Sequence, residues 1–252
     1  MAESPTLLTA RPTGPARWLL ARYFARRARR RFAAVLARGH NGLQPWSRNG
    51  NAGLPLLLVA NHSSWWDAAL PIVLSIGILH QDAYGMMQAE ELQRYQFFRR
   101  AGIFSVDRSN ARSAMRSIEY ASSLLQGTSR VLWIFPQGII APNDRRPIRT
   151  EPGAAHIARH LGRVAIAPVA FRYEVGRDEH PLACMSIGAP RTFAGADTAD
   201  PGKLNEEIAR MMEGELDALR DAMLAEHYAG FETLIRGRRS VNAAWDGVRG
   251  RR

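Results

Sequence analysis

Three apolar runs constrain the fold of this chain more than any other feature. Leu54–Ala60, Arg130–Phe135 and Val164–Tyr173 are short, bounded by turn residues, and too apolar to lie on a surface. Runs of this length and content predict buried strands. Weaker strand patterns stand at Ala83–Met87, Gly102–Val106 and Ala183–Ile187. Helical spacing fills the gaps, over Asp67–Leu79, Glu90–Arg100, Ser109–Gln126 and Pro152–Leu161. Strands alternating with helices predict an α/β fold, a single domain whose mixed, mostly parallel sheet is covered by helices. From 203 to 228, Leu204, Ile208, Met212, Leu216, Leu219 and Met223 recur at steps of three and four, the pattern of a helix packed on a core. The Gly-, Ala- and Asp-rich stretch 189–202 reads as a loop.

The charge is segregated. Residues 1–48 carry ten Arg and one Glu, a local +9; residues 229–252 carry six Arg, one Glu and one Asp, a local +4. Against a total of +11, the segment between is left at −2. The chain therefore divides into a basic N-terminal segment (1–48), a main domain (49–228) and a basic tail (229–252). Residues 1–16 hold three prolines and read as an irregular lead-in. From Arg17 to Gly39 one helix is expected, with Trp18, Ala21, Phe24, Ala25, Ala28, Phe32, Val35 and Leu36 on one face and arginines around the rest. Such a basic amphipathic helix suits the plane of an anionic membrane surface; a helix packed on its own domain with a solvated basic face would read the same way. Nucleic acid is not expected as a partner, because the core offers no basic surface. No apolar stretch is long enough to span a bilayer, and arginines interrupt any signal-like segment, so a peripheral location on the cytoplasmic side of the cell membrane is expected. The one cysteine, Cys184, permits no internal disulfide and no cysteine-based metal site; no metal is expected.

Chemistry concentrates at strand ends. Asn61-His62-Ser63-Ser64-Trp65-Trp66-Asp67 follows the first strand. In a continuous helix, residues five apart diverge, so His62 and Asp67 meet only if His62 lies on the loop and Asp67 in the next helix's first turn. There the carboxylate can take the Nδ1–H of the imidazole and leave Nε2 as a base. A first-turn charge beside a structural histidine fits the same spacing. Trp65 and Trp66 suit a lipid or sugar face, or the core.

The segment Asn61–Asp67 resembles the first motif of the glycerolipid (lysophospholipid) acyltransferases. Gly102–Arg108 is similar to the second, Phe135-Pro136-Gln137-Gly138 to the third, and Ala165–Val169 to the fourth, all in the family's order. Pro152–Ala155 matches the region between the last two. The resemblance, over roughly residues 50–190, implies acyl transfer from acyl-CoA or an acyl carrier protein to a lipid hydroxyl such as that of 1-acylglycerol-3-phosphate. The thioester is then a co-substrate, and no resident cofactor is implied. It implies His62 as base, Asp67 as its orienter, and Asn61, Ser64, Arg108, Phe135, Pro136, Gln137 and Gly138 as substrate-binding residues. The family's third motif usually runs Phe-Pro-Glu-Gly-Thr-Arg-Ser; here Gln137, Ile139, Ile140 and Ala141 replace its glutamate, threonine, arginine and serine. Arg145 or Arg146 is the candidate to restore the missing phosphate contact. Otherwise the acceptor is a sugar hydroxyl on a glycolipid or glycosylated carotenoid, or the chain is an inactive lipid-binding relative. Hydrolysis of a thioester by water would use the same His62.

Overall fold

The computed structural model describes residues 7–108, 111–176 and 179–238. A sheet of nine strands forms its centre, in the order β4-β3-β5-β2-β6-β7-β1-β9, with β8 paired to β6. The strands are β1 Ala34–Arg38, β2 Leu56–Ala60, β3 Ala83–Gln88, β4 Ile103–Val106, β5 Val131–Ile134, β6 Arg163–Glu174, β7 Leu182–Ile187, β8 Arg191–Ala194 and β9 Glu232–Arg236. β2 lies parallel between β5 and β6, and β3 lies parallel between β4 and β5. β1 and β7 are also parallel, whereas β6–β7, β6–β8 and β1–β9 are antiparallel. The sheet is mixed and mostly parallel.

Both of its faces are buried, which explains the unbroken apolar runs. Leu56, Leu58 and Ala60 of β2 enter one core, and Leu57 and Val59 enter the other. The first core lies under α1 (Gly14–Arg31) and α2 (Trp66–Ile72), with α2 prolonged by a π-helical stretch, Val73–Ile78. The second lies under α4 (Ala111–Leu125), α5 (Gly153–Leu161) and α7 (Pro201–Leu224); a short α3 (Ala89–Arg94) and α6 (Ala196–Ala199) complete the helices. Leu204, Ile208, Met212, Leu216, Leu219 and Met223 of α7 are buried, as their spacing predicts. The chain elongates α2 past Pro71 only by changing to wider turns, consistent with the ring's missing N–H.

The ends depart from expectation. The N-terminal helix stops at Arg31, and Val35 and Leu36 belong to β1, seated between β7 and β9. The stripe of Ala21, Phe24 and Ala28 is buried in the protein's own core, not presented outward. Burying Phe24 alone contributes about 1.5–3 kcal/mol, so this helix is part of the domain and not an appendage. Arg17 pins it, donating to Asp82 at 2.6 Å and to the carbonyls of Ala83 and Ala101. The lead-in is irregular but tied down: Leu8 and Ser105 exchange two hydrogen bonds, amide to hydroxyl and amide to carbonyl. The basic tail holds β9, an edge strand of which only Ile235 is buried, and the loop 189–202 holds β8 and α6. Residues 239–252 of the tail lie outside the described residues. Among the described residues no helix is long and apolar enough to cross a membrane.

Asp82 accepts from Arg17 and also from Arg130 at 2.8 Å. Partial burial raises its carboxyl, but the two guanidinium groups outweigh this and hold it below the usual carboxylate range. A depressed carboxyl stabilises the fold above its unfolded value and loses that effect as pH falls through the folded one. Asp82→Asn is expected to cost about 0.5–1 kcal/mol at pH 7 after solvent screening, the difference from wild type shrinking as pH falls below the usual carboxylate range and through the lowered folded value. Paired urea titrations at neutral and acid pH check this.

Candidate active site

β2 ends at Ala60, and the next residue locks the turn that follows. The buried side chain of Asn61 accepts from the Phe171 amide at 2.7 Å and donates to the Phe171 carbonyl and to Asn143. Asn61 thus ties the loop to β6 and does not line the pocket described below. His62 comes next, on the loop, and Asp67 lies in the first turn of α2. His62 Nδ1 donates to Asp67 Oδ2 at 3.0 Å. The same oxygen accepts from the amides of Ser63 at 2.6 Å and Ser64 at 2.7 Å, while Oδ1 accepts from the Tyr173 hydroxyl at 2.5 Å. Asp67 has 0% exposure, and its charge is carried by four donors. Asp67 therefore caps the loop's amides and accepts from the imidazole at once. Ser64 serves the turn, its Oγ accepting from the Trp66 amide.

His62 opens onto a pocket of about 610 Å³ at the carboxyl ends of β2, β3, β4 and β5, where open parallel sheets place their sites. Among the described residues nothing hydrogen-bonds Nε2 of His62. Apolar and aromatic side chains form most of the wall, including Phe24, Trp65, Met86, Phe98 and Phe135. The ring of Phe135 lies 4.8 Å from that of His62. A smaller apolar cavity of about 50 Å³ adjoins it and shares Ala68, Met86, Met87, Phe98 and Phe135. Trp65 is 55% exposed at the pocket, whereas Trp66 packs on Phe32 at 4.9 Å, so the paired tryptophans face different surroundings.

The third-motif residues part company. Pro136 and Gly138 line the pocket, but Gln137 turns away and accepts the His62 amide through Oε1 at 2.8 Å. That contact needs an acceptor, which an amide supplies as well as a carboxylate; the exchange of glutamate for glutamine leaves it intact. Gly138 adopts φ +67°, and a Cβ there would stand 1.8 Å from Arg108 Nη1. Arg108 lines the pocket and donates to the Gly138 carbonyl at 2.7 Å and to Gln88 at 3.3 Å. Arg145 and Arg146 do not line it. Arg146 is held by Asp217 of α7 and by the carbonyls of Asn143 and Arg145. Ile139 and Ile140 are 57% and 59% exposed, with Ile140 on the rim.

Cys184 is buried on β7, its thiol pushed up to about 12 by burial and by the charge of Glu174, and it lies outside the pocket. It is in no state to act as a nucleophile. Among the described residues no three His, Cys, Asp or Glu side chains gather as a metal site requires. The residue missed at the sequence level is Tyr173. Its only signal was a phenol at the far end of a strand, and nothing in its spacing points to Asp67.

The family model described as Acyltransferase matches residues 12–172. A lyso-ornithine lipid O-acyltransferase of Brucella abortus is 34% identical over 133 residues, covering 48% of this chain and 46% of that protein. A Caenorhabditis elegans protein named provisionally as a 1-acyl-sn-glycerol-3-phosphate acyltransferase is 29% identical over 121 residues, covering 46% of this chain and 40% of its own. The chain thus spans less than half the length of the curated relatives it matches. The family match runs from before α1 nearly to the end of β6 and encloses His62, Asp67 and the whole pocket wall; this chain belongs to the acyltransferase family.

Proposed function

We propose that the protein is a peripheral membrane O-acyltransferase that moves an acyl group from a thioester, acyl-CoA or acyl carrier protein, to a hydroxyl of a lysolipid. The carrying observation is the His62–Asp67 pair opening onto an apolar pocket at the strand ends. Nε2 of His62 takes the proton of the acceptor hydroxyl as its oxygen attacks the thioester carbonyl. Asp67 stabilises the imidazolium that results. Collapse of the tetrahedral intermediate expels the thiolate, which takes the proton back from Nε2. The hydrocarbon of acyl chain or acceptor fits the aromatic wall, and Arg108 is the cation nearest the third motif.

The membrane face in this reading is the rim of the pocket, not the buried stripe of α1. Tyr23, Trp65, Tyr95, Phe97 and Ile140 are exposed there, and Trp18 and Leu19 continue the same patch one turn along α1. Guanidinium groups of Arg22, Arg27 and Arg94 lie over Trp18, Tyr23 and Tyr95, which puts cations beside aromatics at the level of lipid headgroups.

A second reading concerns the acceptor headgroup. Isoleucines stand where the family carries a hydroxyl and an arginine, and Arg145 and Arg146 do not line the pocket. This favours an acceptor without a phosphate monoester, a sugar-bearing or amino-acid-bearing lysolipid. The test is an acceptor screen in anionic liposomes with labelled acyl-CoA. A lyso-ornithine lipid or monoacyl glycolipid should exceed lysophosphatidic acid at least about tenfold in kcat/KM. Preference for lysophosphatidic acid would sink the second reading, and no transfer with any donor or acceptor would sink the first. Leu19→Glu combined with Phe97→Glu should reduce co-sedimentation and transfer together, roughly tenfold.

A further inference from the structure

A buried carboxylate has two oxygens to satisfy, and the mechanism above employs only one. His62, Ser63 and Ser64 all donate to Oδ2 of Asp67. Oδ1 has a single donor among the described residues, the hydroxyl of Tyr173 at 2.5 Å. The two residues are 106 positions apart and meet because β6 runs beside β2 and carries its end past the start of α2. Tyr173 is itself rigidly held. Its backbone pairs with Ala183 of β7, and its ring stacks on Phe32 at 5.8 Å. Burial, and then the charge of Asp67, raise its phenol well above the ordinary value, so it remains a proton donor at working pH.

We propose that Tyr173 is a positioning residue for acyl transfer, fixing the rotation of the Asp67 carboxylate and drawing off part of the charge that Asp67 presents to His62. The proposal rests on the reading of His62 and Asp67 as base and orienter. A carboxylate torsion is soft and roughly two-fold, and both oxygens turn together about the Cβ–Cγ bond. Three donors hold the group from Oδ2, and the hydroxyl holds it from Oδ1 as well, so its plane is anchored at both ends. Hydrogen bonds that share an acceptor group also compete for its charge: each donor to Asp67 weakens its hold on an imidazolium. Tyr173 thereby moderates how strongly Asp67 holds the imidazolium that forms when His62 takes the proton. The other titratable side chains that line the pocket are Tyr23 and Arg27 of α1, Glu91 of α3, Tyr95 just after it, Arg108 after β4 and Glu151 before α5. Y173F alters none of them.

The test is Y173F in the full chain, assayed as a pH–rate profile. kcat should fall about tenfold with KM for donor and acceptor within about twofold, and the acidic limb of kcat/KM should move to higher pH. In D67N the Tyr173 effect should disappear, Y173F/D67N matching D67N alone. Fluorotyrosine in place of Tyr173 keeps the packing and strengthens the donor, and should move the limb to lower pH; it decides the matter if Y173F folds poorly. A wild-type profile in both variants, or losses that multiply in the double variant, would overturn the proposal. His62→Ala separates the two levels. If it abolishes transfer while Y173F behaves as wild type, only Tyr173 loses its role. If His62→Ala remains active, the base-and-orienter reading falls with it.

Discussion

His62→Ala is expected to lower acyl transfer roughly 10³- to 10⁴-fold while leaving the melting temperature nearly unchanged. A hydroxyl is a weak nucleophile at neutral pH, and no other base stands where His62 does. The remaining ionisable groups of the wall are two arginines, two glutamates and two tyrosines on other elements. The cost to the fold is small because the imidazole is partly exposed and its one hydrogen bond goes to a carboxylate already held by three other donors. The loop keeps its clamp, since Asn61 and Gln137 engage backbone groups and not the ring. Steady-state transfer with labelled acyl-CoA beside a thermal melt checks both halves. Activity within about threefold of wild type would remove the imidazole from the chemistry.

Asp67→Asn is expected to cost about 10²- to 10³-fold in kcat, with a smaller effect on stability than Asp67→Ala. The geometry sets which way the amide sits. The amides of Ser63 and Ser64 require an oxygen at the Oδ2 position, so the new carbonyl lies there and the new amino group meets Tyr173, whose hydroxyl can turn to accept. His62 then still donates through Nδ1, and its tautomer is preserved. Only the negative charge is lost, and with it the stabilisation of the imidazolium during attack. The acidic limb of the rate profile should therefore move to lower pH in this variant, the direction opposite to Y173F. A loss of less than about threefold would leave Asp67 as a loop cap alone.

The sheet was legible because burial on both faces writes the same signal at every residue. β2, β5 and the stretch of β6 from Val164 to Phe171 have no polar position to confuse it. The N-terminal helix was not bounded correctly because Phe32, Val35 and Leu36 continue a spacing of three and four past Arg31. Yet the chain there alternates buried and half-buried positions as a strand. β9 escaped notice because an edge strand with one buried residue carries almost no hydrophobic pattern. Its existence depends on β1, which supplies the hydrogen-bond ladder.

At the site, local order alone determined that a histidine and an aspartate would meet. A strand end, a tight loop and a first helical turn leave them few other places to be. The identity of the remaining neighbours was decided only by tertiary structure. Arg108 reaches the pocket wall, while Arg146 is taken by an aspartate on α7 and Gln137 by the backbone of His62. Tyr173 completes Asp67 from the far end of another strand. A polar side chain's partner is whichever group the packing of separate elements brings within about 3 Å, and such pairings have no period along the chain.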